Sequence, residues 1–187
     1  MLFLAGPNGA GKSTFYEAFL KDSGLPFVNA DRIAAALGVS DSEAAAAADA
    51  ARKQLLAEGV SFITETVFSD PAGAKLQFLR DAIAAGYRVT LHFIGVSSAQ
   101  LSGARVTQRV RAGGHDVPPE RLERRFQQSL ANLRQELEFV PEVHVYDNSS
   151  FDIPYRLVLS ARAGQTALVA APLPNWLKPI VGNPRAT

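Results

Sequence analysis

The chain has 187 residues, a net charge of +1 and no cysteine, and 47% of its residues are hydrophobic. That length supports one core and scarcely two domains, and the near-neutral charge argues against a polyanion binder. Disulfides and thiolate metal sites are excluded, and neither a leader with a cleavage site nor an apolar run of roughly 18–20 residues is present, so the cytoplasm is the expected location.

Leu2–Ala5 reads as a short apolar strand that runs into a glycine-rich loop, and Lys12–Leu20 as the helix after it. With the first strand at Leu2, no accessory domain is expected ahead of that loop. Pro26–Asn29 is a second strand. Ser40–Glu58 is an alanine-rich helix, with Ser40 or Asp41 as N-cap and Gly59 just past its end. Val60–Thr64 is a third strand. Pro71–Ala85 is a helix with Pro71 in its first turn and Gly86 as its stop. Arg88–Val96 is a fourth strand, with Val89, Leu91 and Phe93 on one face. Ser97–Ala112 and Pro118–Phe139 are helices, and Glu142–Tyr146 is a fifth strand. Such alternation predicts parallel strands joined by helical crossovers, and apolar runs fit a sheet covered on both faces. After Asn148 the pattern changes. Tyr155–Ala161 and Thr166–Ala171, around Ala163-Gly164-Gln165, predict a terminal hairpin. The proline-rich tail Pro172–Thr187 carries the only tryptophan and either packs as a strap or hangs loose.

Gly6-Pro7-Asn8-Gly9-Ala10-Gly11-Lys12-Ser13 matches G-x-x-x-x-G-K-[ST] in full, with a strand before it and a helix after it. The chemistry demands those types. Gly9 and Gly11 let successive backbone N–H groups curl toward phosphates, Lys12 places a positive charge near the β- and γ-phosphates, and the helix adds its positive end. The expected ATP-binding set is Gly6, Asn8, Gly9, Ala10, Gly11, Lys12, Ser13 and Thr14, with the Ser13 hydroxyl as a Mg²⁺ ligand. The fold class is therefore α/β, a P-loop NTPase fold. One domain is expected over residues 1–187: a parallel five-stranded sheet with helices on both faces within 1–150, a lid over about 97–139, and a C-terminal β-hairpin and tail over 151–187.

Ligands in open α/β sheets sit beyond the carboxyl ends of the strands. The second strand is followed by Asn29-Ala30-Asp31, the third by Glu65-Thr66 and the fifth by Asp147-Asn148-Ser149. Asp31 is the natural general base for an attacking hydroxyl; its structural alternative is to cap a helix Arg32–Leu37. Glu65, at the end of an apolar strand, would hold an acceptor's hydroxyls or a magnesium water; its alternative is an ion pair with an arginine. No strand ends in an aspartate followed by Glu or Gln, which suits a small kinase better than a motor ATPase. Seven of the arginines fall between Arg105 and Arg134. Arg105 and Arg109 share a helix face, Gly113-Gly114 form a flexible loop, and a second arginine-bearing helix follows. This reads as a lid whose arginines stabilise charge on a transferring phosphoryl group. The alternatives are a solvated basic face balanced by Glu120 and Glu123, or a nucleic-acid patch, for which interleaved aromatics are too sparse. His115, beside the two glycines, is a candidate contact for acceptor or phosphate.

Several segments together resemble the zeta-toxin family of P-loop kinases. They are Ala5 to Thr14, Asn29-Ala30-Asp31, Phe62-Ile63-Thr64-Glu65-Thr66, Arg105 to Arg111, Gly113-Gly114-His115-Asp116-Val117-Pro118 and Arg124-Arg125-Phe126-Gln127-Gln128-Ser129-Leu130. The likeness runs from about Leu2 to Ser149. It implies a kinase that uses ATP and Mg²⁺ to phosphorylate a hydroxyl of a small metabolite, a UDP-N-acetylamino sugar in the best-known members. By the same resemblance the base falls on Asp31, the phosphate lysine on Lys12, the lid arginines on Arg105 and Arg109, and the acidic acceptor-binding residue on Glu65. Thr66 and His115 are expected, beside Glu65, to face the acceptor. A small helical antitoxin that blocks the nucleotide site is the implied protein partner. Two departures bear on the acceptor: Val67-Phe68-Ser69 stands where such toxins carry an arginine, and His115 or Asp116 where they carry a second lid arginine. The rival reading is a P-loop ATPase or nucleotide-dependent switch that binds a protein partner. A switch has no need for Asp31 and Glu65 to face one cleft.

Overall fold

The computed structural model describes residues 1–70, 72–111 and 118–181. At its centre lies β1 (Leu2–Ala5), whose Phe3, Leu4 and Ala5 are fully covered from both sides. A strand with no solvent face needs a neighbour along each edge, and β1 has β3 (Ile63–Thr66) on one side and β4 (Thr90–Gly95) on the other. With β2 (Phe27–Val28) and β5 (Glu142–Asp147) the parallel order is β2-β3-β1-β4-β5.

The expected five parallel strands are present, but the sheet has seven strands. After Asp147 the chain turns back without a crossover helix, so β6 (Arg156–Arg162) pairs antiparallel with β5 and covers its open edge. β7 (Gln165–Leu168) follows through the two-residue turn Ala163-Gly164, with φ of 49° and 77°. That turn matches the right-handed twist of a tight hairpin. The hairpin is thus part of the main sheet and not an appendage to it.

The helices are α1 (Lys12–Phe15), which continues as a π turn over Tyr16–Leu20, then α2 (Ala30–Leu37), α3 (Asp41–Ala57), α4 (Ala74–Ala84), α5 (Ala99–Arg111), α6 (Pro119–Glu136) and α7 (Lys178–Val181). Two of the boundaries that moved from their sequence positions have a visible cause. Gly59 and Val60 donate back to the carbonyls of Leu56 and Leu55, which spends Val60 on closing α3 and delays β3 to Ile63. The Asp70 carboxylate accepts from the N–H of Ala72 at 3.1 Å and of Lys75 at 3.0 Å, a turn that delays α4 to Ala74.

Helices cover both faces. One apolar layer joins Phe3, Phe93, Leu91 and Val145 to residues of α3, α4 and the C-terminal half of α6. The other joins Leu4, Ile63 and Ile94 to Phe15 and Tyr16 after the glycine loop. The described part of the tail is a strap. Trp176 lies on Gly95, where a Cβ would meet the indole at 2.2 Å, and its Nε1 donates to Asp147 Oδ1 at 3.1 Å. Among the described residues no helix is long and apolar enough to cross a membrane.

Candidate active site

The glycine-rich loop leaves β1 at Gly6 and enters α1 at Lys12. Gly9 and Gly11 have φ of 65° and 95°, in the left-handed region. A Cβ would meet Ser102 O at 2.5 Å from Gly9 and Asn148 Nδ2 at 2.6 Å from Gly11, so both positions require glycine for space as well as conformation. The loop is braced from outside. Ser102 Oγ donates to Asn8 O at 2.5 Å, Asn148 Nδ2 to Ala10 O at 2.8 Å, and Tyr155 OH to Gly11 O at 2.9 Å. These bonds satisfy carbonyls and occupy none of the loop's N–H groups, of which Ala10 N donates within the loop, to Pro7 O at 3.3 Å.

Lys12 is only 6% exposed, and its Nζ donates to Pro7 O at 2.9 Å. Burial lowers its pKa; Glu65 and then Asp31 act in the opposite direction and favour the charge. Ser13 Oγ reaches both oxygens of Glu65, at 3.2 and 3.1 Å. Glu65 is in turn held by Asn29 Nδ2 at 2.7 Å from Oε2. The register explains the meeting: Leu4 pairs with Glu65 across β1 and β3, so Glu65 leaves the sheet beside the start of the loop. Ser13 Oγ and the Glu65 carboxylate are hard oxygen donors, the set that Mg²⁺ accepts. Among the described residues no group of three or more His, Cys, Asp or Glu could hold a metal alone.

A cleft of about 880 Å³ opens in front of the loop. Its lining brings together Lys12, Asp31, Glu65, Thr66 and Arg109, with Asn8 and Gly9 from the loop. Asp31 does not cap the helix. Asn29 does, its Oδ1 accepting from Arg32 N at 2.9 Å, and Asp31 projects from the first turn of α2. The two lid arginines part company. Arg109 lines the cleft, whereas Arg105 Nη1 donates to Asn148 O at 2.8 Å and its guanidinium lies 5.1 Å from the Phe151 ring. His115 and the Gly113-Gly114 loop lie outside the described residues. The sequence reading named Asn29 after the second strand and Arg125 in the lid helix without giving either its role, and it passed over Arg52 and Lys75 on the cleft wall; Asn29 both caps α2 and orients Glu65. Asn29 carried a signal, as the residue directly after β2. Lys75 carried none, since nothing in its neighbours distinguishes it from a surface lysine.

A glycine loop at the end of the central parallel strand, a buried lysine in it, and a cleft walled by carboxylates and arginines together define the P-loop kinases, nucleotide-dependent phosphotransferases. The zeta toxin model matches residues 29–156. The chain belongs to the zeta toxin family. A Haemophilus influenzae protein of uncharacterized role is 28% identical over 131 residues, which is 67% of this chain and 91% of that protein. Among solved structures, the AvrRxo1-ORF1:AvrRxo1-ORF2 complex with sulphate ions aligns with a TM-score of 0.70 at 18% identity, over 91% of this chain and 61% of that one. The same complex with ATP aligns at 0.69. A structure from the PezAT chromosomal toxin-antitoxin system of Streptococcus pneumoniae aligns at 0.62 with 16% identity, over 85% and 69% of the two chains. These likenesses carry the fold.

Proposed function

We propose that the chain is an ATP- and Mg²⁺-dependent kinase that moves the γ-phosphoryl group to a hydroxyl of a small metabolite. The observation that carries this reading is that Asp31 and Glu65, on different elements, line one cleft with Lys12. A nucleotide switch has no use for that convergence. Lys12 and the loop N–H groups hold the β- and γ-phosphates. Ser13 and Glu65 hold the ion, which when bound neutralises charge on the phosphate oxygens. Asp31 takes the proton of the acceptor hydroxyl as its oxygen bonds to the γ-phosphorus. The bond between that phosphorus and the β–γ bridging oxygen breaks, and ADP leaves with the electron pair. Arg109 faces the transferring group from α5. Arg105, bound to Asn148 O, secures the loop after β5 beside the nucleotide. Thr66, on the cleft wall, faces the acceptor.

By family resemblance the first acceptors to try are UDP-N-acetylamino sugars. A small antitoxin over the nucleotide site belongs to the same reading, which the toxin–antitoxin origin of the PezAT structure supports; a cytoplasmic location is part of the proposal on composition alone. The test pairs a screen of cell metabolites against labelled ATP with the variant Asp31→Asn. The variant should still bind ATP and should lose roughly 10²–10⁴-fold in transfer, the usual contribution of a positioned base. Parental activity in Asp31→Asn would remove the base assignment, and a screen in which no metabolite gains phosphate would favour the switch.

A further inference from the structure

β3 ends at Thr66, and two residues later the backbone kinks. Phe68 has φ of 61°, in the left-handed region that a bulky side chain seldom occupies. Its ring is fully buried and stands edge-on to that of Phe3, 5.8 Å away. Glu65, Thr66, Val67, Ser69 and Asp70 line the cleft, whereas Phe68 turns into the core. A backbone in this conformation persists only where its surroundings over-determine it, and such places gather at ligand clamps.

The surroundings here are two polar side chains of α6. Ser129 Oγ donates to Val67 O at 2.6 Å, and Asn132 Nδ2 to Phe68 O at 3.0 Å. Both residues are out of water, 0% and 1% exposed. Ser129 Oγ also lies 2.8 Å from Arg125 O, but that carbonyl already serves a helix N–H, so the one hydroxyl proton goes to the shorter contact. The Asn132 amide has one orientation, because its Oδ1 accepts from Gln128 Nε2 at 2.8 Å. Successive carbonyls of a continuing strand point to opposite edges and could not both meet one helix. The left-handed residue turns them to the same side, and the two α6 side chains, one turn apart, take one each. Gln128 and Arg125, nearer the start of α6, line the cleft themselves. One helix therefore supplies part of the cleft wall and dictates the course of another part.

We infer that Ser129 and Asn132 are positioning residues for the acceptor: they hold Val67 and Phe68 in the kink that sets the uncharged Val67 and Ser69 on the acceptor side of the cleft. Neither side chain lines the cleft, so each acts through the segment it holds. The inference rests on the kinase reading for calling that side the acceptor's, but the kink does not depend on turnover.

The Phe68 Cα and Cβ chemical shifts report its φ in solution and need no acceptor. In Ser129→Ala and in Asn132→Ser they should leave their left-handed values, while ATP binding by calorimetry holds at the parental Kd. Transfer is followed with UDP-N-acetylglucosamine and labelled ATP. Its KM should rise at least about tenfold in both variants with the KM for ATP unmoved, since a misplacement of about 1 Å suffices for such a loss. Tyr87→Phe is the structural control. It removes a hydroxyl that serves the carbonyls of Leu55, Leu56 and Val60 ahead of β3 and β4, at the other end of the sheet. That variant should lower the Tm and move neither KM. Unmoved Phe68 shifts in both α6 variants would overturn the clamp. An equal rise in the two KM values, or a rise matched by Tyr87→Phe, would overturn the positioning role. A parent chain that phosphorylates nothing would overturn the kinase reading, and the Phe68 shifts would still decide the clamp.

Discussion

Asn29 does two jobs with one amide. Its oxygen caps α2 and its nitrogen fixes Glu65 at 2.7 Å. Substitutions separate the two. Asn29→Asp keeps a good cap but sets a second carboxylate against Glu65 in place of a donor, while Asn29→Ala loses both functions. Asn29→Ala should cost about 1 kcal/mol of stability for the cap. Asn29→Asp should melt near the parent temperature. Both should weaken the Mg²⁺ requirement curve by roughly 10–100-fold, the usual effect of removing an orienting partner of a metal ligand. Thermal melts and Mg²⁺ titrations of activity check the two halves. A matching test at the loop is Lys12→Ala, which should abolish transfer and leave the fold intact; unchanged turnover would sink the kinase reading. At this scale the loop was fully legible, because its residue types are dictated by phosphate geometry. The exchange of cap between Asp31 and Asn29 was not, since both residues are favoured caps and only the backbone course after β2 decides between them.

Elements separate into those defined by local chemistry and those defined by their neighbours. α3 belongs to the first kind: Ser40 Oγ accepts from Glu43 N and the Glu43 carboxylate accepts from Ser40 N, a reciprocal cap readable from the sequence. Ser40→Ala should cost about 1 kcal/mol, read by denaturant titration. β3 and β6 belong to the second kind. The start of β3 depends on how α3 unwinds at Gly59 and Val60, and the seven-strand sheet depends on β6 choosing the edge of β5. Hydrophobic patterning proposed both strands without fixing where they pair. The course of α5 and α6 was likewise readable as two arginine-bearing helices. Which arginine enters the cleft was not, since Arg105 and Arg109 share a face and differ only in what lies beneath them.

At the scale of the whole molecule, one sheet face holds a half-buried histidine. His92 Nδ1 lies 3.3 Å from Tyr146 OH, with the His144 ring 5.5 Å away, the Phe15 ring 5.9 Å away and Glu142 beyond. Burial, and to a smaller degree His144, push its pKa down to about 4, against the pull of Glu142. The unfolded chain binds this proton near pH 6.5 and the folded chain does not, so stability is complete above pH 6.5 and declines as pH falls toward 4. At 1.36 kcal/mol per pH unit the loss approaches about 3 kcal/mol. Denaturant titrations at pH 7.5, 5.5 and 4.5 should show that decline, and His92→Gln should flatten it by a similar amount.

The indole that lies on Gly95 is the only one in the chain. Its Nε1 is tied to Asp147, the next residue is Asn148, and the Asn148 amide braces the carbonyl of Ala10 in the phosphate loop. The protein therefore carries its own optical gauge, two bonded contacts from the nucleotide. Excited at the red edge, the parent chain should emit as a buried indole, move to the red in denaturant, and change intensity when ATP·Mg²⁺ seats in the loop. In Asn148→Ala the first two responses should persist while the nucleotide response falls away. An intensity change that survives that substitution would mean that light from Trp176 reports the nucleotide by another route.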